Sequence, residues 1–472
     1  MRAASGPFIW DDNFLLDQLR DRGPSSPLSL FTSGFLIRPE GGADFYRPIV
    51  LLSLLLDKSV WGSHPVGYHA TNLALHAISI IAVAWFAWQL LKSRAGAIAA
   101  AFLFAVHPAH AESVCWISGR TDLLCAAFTL GSLNLFLWSR AKSSRLALAG
   151  SYLLAGLALL SKELAVVIPV LVVLSWWAAG ERSFRRMALA ALPFVVIAGV
   201  YTAARANVLQ GAEMVSEPLL PLYRASTIAY SLFTHFQILL LPYKAHLSYE
   251  VVMQEIANAN TFMVLLSMVV LTVFLWSSRR SAPVPLFGML WFLTTILPVS
   301  LLAGQQISTI VSQRFLYLPS VGLAVVFGWA IALVARLRVP AKALGIAAAA
   351  AVVVALSVLS VSWSGLWANE VAFWEQFTRD TPTIGSSYYH LGLAYCRAGD
   401  YDKAIRAHEA ARDLMPDQPE PEYGLGQAYS AKSDFRDAAK HYSYALDLAP
   451  GNPMLQEKLD EAMRRGGRVT PD

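Results

Sequence analysis

The chain has 472 residues, 56% of them hydrophobic and 15% charged, with a mean hydropathy of +0.47. A soluble globular chain is roughly 45–50% apolar and about 25% charged. The apolar excess lies in long uncharged blocks, which excludes a soluble cytosolic enzyme, a disordered chain and a secreted disulfide scaffold. The 37 Lys and Arg outnumber the 32 Asp and Glu by five, and much of that excess sits in short loops between blocks. Basic residues there set membrane topology, so no nucleic-acid partner is implied. The three cysteines, Cys115, Cys125 and Cys396, form neither a disulfide framework nor a metal-ligand spacing.

Residues 1–66 read as a first outer loop. It carries an acidic motif and, over Ile49–Val60, an interfacial helix holding Asp57 and Lys58. A membrane domain follows over 67–362. A spanning helix takes roughly 20 apolar residues. Ten segments approach this: Tyr68–Leu91, Ala95–Val114, Asp122–Ser139, Leu146–Leu160, Leu164–Ala178, Met187–Thr202, Thr261–Trp276, Pro285–Ala303, Phe315–Ala335 and Ala341–Val361. Lys92/Arg94, Arg140/Lys142/Arg145, Arg182/Arg185/Arg186, Arg279/Arg280 and Arg336/Arg338/Lys342 mark cytoplasmic loops. The loops His107–Arg120, Arg205–Arg224 and Gln305–Arg314, and everything after Val361, then face outward. Leu146–Ala178 has basic flanks on both sides, so Ser161-Lys162-Glu163 is expected to be the outer turn of a hairpin. One long helix there would bury a Lys–Glu pair at mid-membrane. Ser226–Leu241 breaks the parity and reads as an outer amphipathic or re-entrant helix. Ten spans put both termini outside, and the first 48 residues hold no apolar block, so an additional upstream span is expected.

From Trp363 the composition becomes charged and tyrosine-rich, and a 34-residue period appears. Leu391-Gly392, Tyr395, Ala404, Ala411 and Pro416 recur as Leu425-Gly426, Tyr429, Ala438, Ala445 and Pro450. This is the tetratricopeptide repeat, a helix–turn–helix in which small residues let paired helices approach. The repeats fall near 385–418 and 419–452, within an exported domain over 363–472. Trp363–Thr381 and Glu457–Arg465 are expected to pack on its ends. Such an array serves either as a structural cap or as a groove for a peptide.

Polar residues at the outer edges of the spans form six clusters: Trp10-Asp11-Asp12-Asn13, Tyr46-Arg47-Pro48, Gly67–Asn72 with His76, His107–Glu112 with Arg120 and Asp122, Ser161-Lys162-Glu163, and Gln313–Pro319. Adjacent carboxylates can pair a general base with an orienting or metal-binding partner, although an Asp-Asp pair is commonly a turn or helix cap. His107, His110 and Glu112 could bind a divalent ion or line a cavity, and Pro108 interrupts helical geometry between them. The topology rests on other residues, yet it puts all six clusters on one side. That points to an outward-facing site open to lipid and water.

The chain resembles the tetratricopeptide-repeat membrane proteins related to the transmembrane O-mannosyltransferases, within the C-type glycosyltransferase superfamily. The resemblance rests on Phe8–Asp12, Tyr46–Pro48 with Leu51–Ser53, Gly67–Asn72, His107–Val114 with Trp116–Arg120, Leu160–Glu163, Leu297–Ser300 and Arg314–Ser320, in collinear order. It implies an all-α polytopic bundle with a C-terminal repeat solenoid. It also implies transfer of a mannose-like hexose from a polyprenyl-phosphate-linked donor to a protein hydroxyl or a glycan, on the non-cytoplasmic face, with inversion. Carried over, Asp11 and Asp12 match the catalytic acidic motif. Lys162, Arg314 and Arg47 would hold the leaving phosphate. His107, His110, Glu112, Arg120, Glu163, His69 and Tyr46 would line the cavity. The resemblance fixes no cofactor and leaves a divalent cation open. The expected partners are the lipid-linked sugar, membrane lipid and an acceptor docked on the repeats. Composition suggests a bacterial inner membrane with a periplasmic or extracellular site. Relatives carry a span before the acidic loop and often many repeats. The competing readings are a non-catalytic scaffold whose repeats gather partners, and an oligosaccharide ligase using a lipid-diphosphate donor.

Overall fold

Hydrocarbon offers backbone groups no partners, so a spanning segment has to bond its own, as a helix does. In the computed structural model each of the ten apolar blocks lies on helix. The structure describes residues 6–21, 27–37, 43–209, 221–243, 247, 259–277, 279–303 and 311–466. Parts of two predicted outer loops, 210–220 and 304–310, lie outside the described residues. The chain divides into two units, 1–245 with 251–367, and 246–250 with 368–472. The boundary falls after Trp367, not after Ser362, because Trp363 still belongs to the last apolar helix.

The first unit opens with α1 (Asp11–Asp21) and a small antiparallel ribbon of β1 (Phe35–Ile37) and β2 (Ala43–Phe45). Next come α2 (Pro48–Trp61), α3 (Pro65–Leu91), α4 (Arg94–Val106), a 3-10 turn at Pro108–His110 and α5 (Ala111–Cys115). The bundle continues with α6 (Arg120–Lys142), α7 (Arg145–Leu159), a 3-10 turn at Glu163–Val167, α8 (Ile168–Ala178), α9 (Phe184–Val208) and α10 (Pro221–Leu240). It ends with α11 (Ala259–Ser277), α12 (Pro283–Ala303), a 3-10 turn at Gln313–Leu316, α13 (Ser320–Val334) and α14 (Ala341–Leu366).

Among the described residues, five helices are long and apolar enough to cross a membrane: α3, α6, α9, α12 and α14. Helix α4 and the segment Pro108–Cys115, bent by 56° at their break, bring the number to six where the pair is counted as one span. The predicted helix Ala95–Val114 is therefore two pieces, since Pro108 has no N–H to continue the ladder. The remaining four blocks sit on shorter apolar helices, over Arg145–Leu159, Glu163–Ala178, Leu266–Ser277 and Ser320–Val334. The protein is a multi-pass, all-α membrane protein.

The chain does break at Ser161-Lys162, but the two arms separate. α7 packs on α6 and α9, whereas α8 packs chiefly on α9 and α12. Helix α10, the segment that broke parity, lies on α12 and α11. Helix α2 buries Val50, Leu51, Leu54 and Asp57 and exposes Leu56, Val60 and Trp61, as an interfacial helix would.

Lipid tails give apolar helices no reason to associate, so small residues and polar pairs hold the bundle. α4 and α13 meet at Gly96 and Gly328, where a Cβ on Gly328 would lie 2.3 Å from the Gly96 carbonyl oxygen. Ser132 and Ser151 join α6 and α7, each hydroxyl donating to the other's carbonyl at 2.8 Å. Gln89 donates to Asn134 Oδ1 at 2.8 Å, and Asn134 donates to the Ala82 carbonyl at 2.9 Å, tying α3 to α6.

In the second unit α15 (Glu370–Asp380) precedes two helix pairs, α16 (Gly385–Ala398) with α17 (Tyr401–Leu414) and α18 (Pro419–Ala431) with α19 (Phe435–Leu448). α20 (Pro453–Gly466) closes the array. The 34-residue period recurs in the contacts. Asp400 and Asp434 cap α17 and α19. Gly392 makes room for the His408 ring as Gly426 does for Tyr442.

Candidate active site

The site elements lie at one set of helix ends: the start of α3, the end of α4, the start of α6, the end of α7 and the turn before α13. The basic loops occupy the opposite ends of the same helices. All six polar clusters are joined by direct contacts.

The loop between α4 and α6 is the hub. Asn72, wholly buried, donates to the carbonyls of Trp116 at 3.0 Å, Val114 at 3.4 Å and Ile117 at 3.5 Å. Arg120, also wholly buried, donates to Asn72 Oδ1 at 2.9 Å and the Tyr68 carbonyl at 3.0 Å, and pairs with Asp57 at 2.5 Å. A buried charge is tolerated only when paired and bonded in this way. Arg120 thus braces the site from behind.

The acidic pair splits into two roles. Asp12 is buried and fully engaged. Its Oδ1 accepts from Ser118 N at 2.9 Å and Ser118 Oγ at 2.7 Å, and its Oδ2 accepts from Ile9 N at 3.3 Å. Asp11, in the first turn of α1, is part-exposed and makes no hydrogen bond among the described residues. Burial raises the Asp11 carboxyl above the ordinary carboxylate range, and the Arg314 charge opposes that. Burial pushes Asp12 up to about 7, against the bonds from Ser118 and Ile9, with the Asp11 charge adding to the rise. Trp10, just before them, has φ +61°, a left-handed conformation that costs a side-chain-bearing residue about 1–2 kcal/mol. Its indole stacks on Trp116 at 5.1 Å.

Each proposed phosphate-binding cation has a carboxylate partner. Arg314 Nη1 lies 2.8 Å from Glu112 Oε1, while its backbone N–H donates to Glu112 Oε2 at 3.0 Å. Ser312 Oγ also donates to Glu112 at 2.8 Å. Glu112 therefore clamps both main chain and side chain of Arg314. Aromatic rings wall that guanidinium: Phe315 at 5.1 Å, Trp116 at 5.2 Å and Trp10 at 5.9 Å. Lys162 Nζ lies 2.6 Å from Asp122 and 5.3 Å from the same Phe315 ring. Arg47 is committed through Nε and Nη2 to Glu163, at 3.1 and 2.7 Å.

The other cavity residues are placed as follows. Tyr46 donates to the Phe31 carbonyl at 3.0 Å and stacks on Tyr201. His69 Nε2 bonds the Gly6 carbonyl at 3.3 Å, His107 Nε2 the Leu239 carbonyl at 3.0 Å, and His110 Nε2 the Ser320 hydroxyl at 2.8 Å. His107, His110 and Glu112 have separate partners, and among the described residues no three His, Cys, Asp or Glu are disposed to hold a metal ion. Ser118, Asn72, Asp57, Trp10, Trp116, Ser312 and Phe315 also build the site, beyond the residues expected to act in it. The Trp116–Arg120 stretch was the one signal that could have drawn attention to Ser118 and Trp116.

The fold and site thus define a polytopic membrane protein with a buried ion-pair network at one helix end and a repeat unit at its C-terminus. The tetratricopeptide repeat family model matches residues 383–450. The chain is also similar to protein O-mannosyl-transferases. It is 37% identical over 132 residues to Tmtc1 of Drosophila melanogaster, covering 27% of this chain and 15% of that protein. It is 33% identical over 140 residues to TMTC1 of Homo sapiens, covering 28% and 16%. It is 32% identical over 177 residues to TMTC2 of Homo sapiens, covering 36% and 21%. The chain therefore spans about a fifth or less of the length of these relatives.

Proposed function

We propose that this chain is a membrane glycosyltransferase that moves a mannose-like hexose from a polyprenyl-phosphate donor to a hydroxyl of a protein or glycan. The observation that carries the reading is the division of labour at the acidic pair. Asp12, Glu112, Asp122 and Glu163 are all held by donors, and among the described residues Asp11 alone of these carboxylates makes no hydrogen bond. A general base needs an accessible carboxylate on a fixed support. Asp11 would accept the acceptor hydroxyl's proton as that oxygen attacks the anomeric carbon from the face opposite the phosphate. The bond from the anomeric carbon to the phosphate oxygen breaks, and the lipid phosphate leaves with its charge facing Arg314 and Lys162. Arg314 retains Nε and Nη2, and Lys162 two N–H groups, without protein acceptors among the described residues. Arg47 is assigned to holding the 160–163 turn through Glu163.

The separation of basic loops from site ends supports a non-cytoplasmic face. A bacterial inner membrane is proposed on composition alone, since the relatives compared are animal proteins. The acceptor would dock on the repeats, where Tyr389, Leu393, Cys396, Arg397, Tyr423 and Gln427 line a cleft of about 450 Å³. That cleft equally suits the scaffold reading, in which the repeats gather partners without catalysis. The test is donor choice by the purified chain in lipid vesicles. Polyprenyl-phosphate mannose should be consumed. Consumption of a lipid-diphosphate glycan instead would make it a ligase, and consumption of neither would favour the scaffold.

A further inference from the structure

His110 takes no part in the transfer proposed above, yet it is wholly buried and its ring is held in place. It ends the 3-10 turn Pro108–His110 and leads directly into α5. Its partner is Ser320, the first residue of α13. Ser320 Oγ donates its one hydrogen to the Tyr317 carbonyl at 2.8 Å, so His110 Nε2 is the donor in the 2.8 Å bond between the two side chains. Two residues further on, Glu112 accepts from Ser312 Oγ and from both the backbone and the side chain of Arg314. The short segment 110–112 therefore grips residues 312–320 at both ends, and Arg314 stands between the grips. Other holds act on the same stretch. His76 Nε2 of α3 faces the Ala105 carbonyl at 3.3 Å, which can only accept, so Nδ1 is left to accept from the Tyr317 hydroxyl at 2.8 Å. Trp291 Nε1 donates to the Leu318 carbonyl at 2.9 Å. A 3-10 turn of four residues, here Gln313–Leu316, has poor bonding of its own, so these outside contacts set where Arg314 stands.

The geometry points to His110 as a positioning residue: with Glu112 two residues away it clamps both ends of the Arg314 turn, and its bond to Ser320 keeps the guanidinium in its ion pair. The purpose of the clamp rests on the reading of Arg314 as a phosphate-binding cation, but the clamp itself is tested without a lipid. The full chain in detergent is treated with phenylglyoxal, which condenses with guanidinium groups and reacts slowly with those held in ion pairs. Modification of Arg314, whose side chain is 16% exposed, is followed by mass spectrometry relative to the exposed Arg464. His110→Leu should speed it by roughly 2- to 10-fold, the worth of one hydrogen bond. His110→Gln, whose amide N–H can reach the Ser320 hydroxyl, should stay close to the unaltered chain. The His110→Leu/Ser320→Ala double variant should react no faster than Ser320→Ala alone, because both changes remove the same bond. Arg120, wholly buried, should stay unmodified throughout. Where His110→Leu exposes Arg120, that variant has lost more than the clamp, and Ser320→Ala decides by the same rates. An unchanged Arg314 rate in His110→Leu or Ser320→Ala, or equal acceleration by His110→Leu and His110→Gln, overturns the inference. Added polyprenyl phosphate should slow Arg314 modification in the unaltered chain. If it does not, while the variants behave as expected, the clamp stands and the phosphate reading of Arg314 falls.

Discussion

The repeat unit should lose stability in mild acid, and two histidines set the amount. His408 is wholly buried between Gly392 and Gly424, beside the Tyr389 ring at 5.5 Å, and neither ring nitrogen has a partner among the described residues. His390 stacks on Trp374 at 4.6 Å. Burial lowers both imidazoles to about 4 from an ordinary 6.5, with Arg397 adding to the effect on His390 and His390 adding to that on His408. The unfolded chain therefore binds more protons than the folded one between pH 6.5 and about 4. The stability they contribute is complete above 6.5 and is lost as pH falls through that window. At pH 5 each imidazole costs about 2 kcal/mol, or about 4 kcal/mol together. That is a large part of the roughly 5–15 kcal/mol stability of a typical domain. Hydrogen exchange over residues 385–466 of the full chain in detergent, corrected for intrinsic rates, measures the loss between pH 7.5 and 5. His408→Phe should remove about half of the pH dependence. Equal protection at the two pH values, or an unchanged slope in His408→Phe, would refute the reasoning.

Three further outcomes follow from the packing and the ion pairs. Gly328→Ala should force α4 and α13 apart, because the new Cβ meets a backbone carbonyl; overpacking of this kind costs about 1–3 kcal/mol and should lower the melting temperature in detergent. Glu112→Gln should weaken binding of polyprenyl phosphate, read by intrinsic tryptophan fluorescence, because it loosens both holds on Arg314; unchanged binding would count against the clamp. Lys162→Met leaves Asp122 buried and unpaired, a change worth about 3–5 kcal/mol, so it should destabilise the bundle as well as weaken the donor site. The Lys162→Met/Asp122→Leu double variant should recover the melting temperature without recovering donor binding.

Much of the fold was legible because its causes are local. Uncharged blocks predicted the helices and the 34-residue period predicted α16 to α19, whereas Ala95–Val114 read as one span although Pro108 stood inside it to mark the break. The unit boundary was less legible, since Trp363 to Leu366 are polar enough to read as tail yet continue α14. The candidate site was legible as polar clusters, which the fold gathers at one set of helix ends. Its wiring was not, because the partners are far apart in sequence: 116 residues for Arg47 and Glu163, 40 for Lys162 and Asp122, 202 for Arg314 and Glu112. The two aspartates look equivalent in sequence. Only the position of Ser118, 106 residues away, separates the tethered one from its neighbour.

The central claim is that Asp11 does the chemistry and Asp12 holds it in place. The most direct test is transfer from polyprenyl-phosphate mannose by Asp11→Asn and Asp12→Asn in vesicles, alongside their melting temperatures. Asp11→Asn should keep the melting temperature and the affinity for polyprenyl phosphate while losing turnover by about 100-fold or more, the scale of a positioned general base. Asp12→Asn should instead lower the melting temperature, by loosening the contact with Ser118. Transfer that survives in Asp11→Asn would contradict the account.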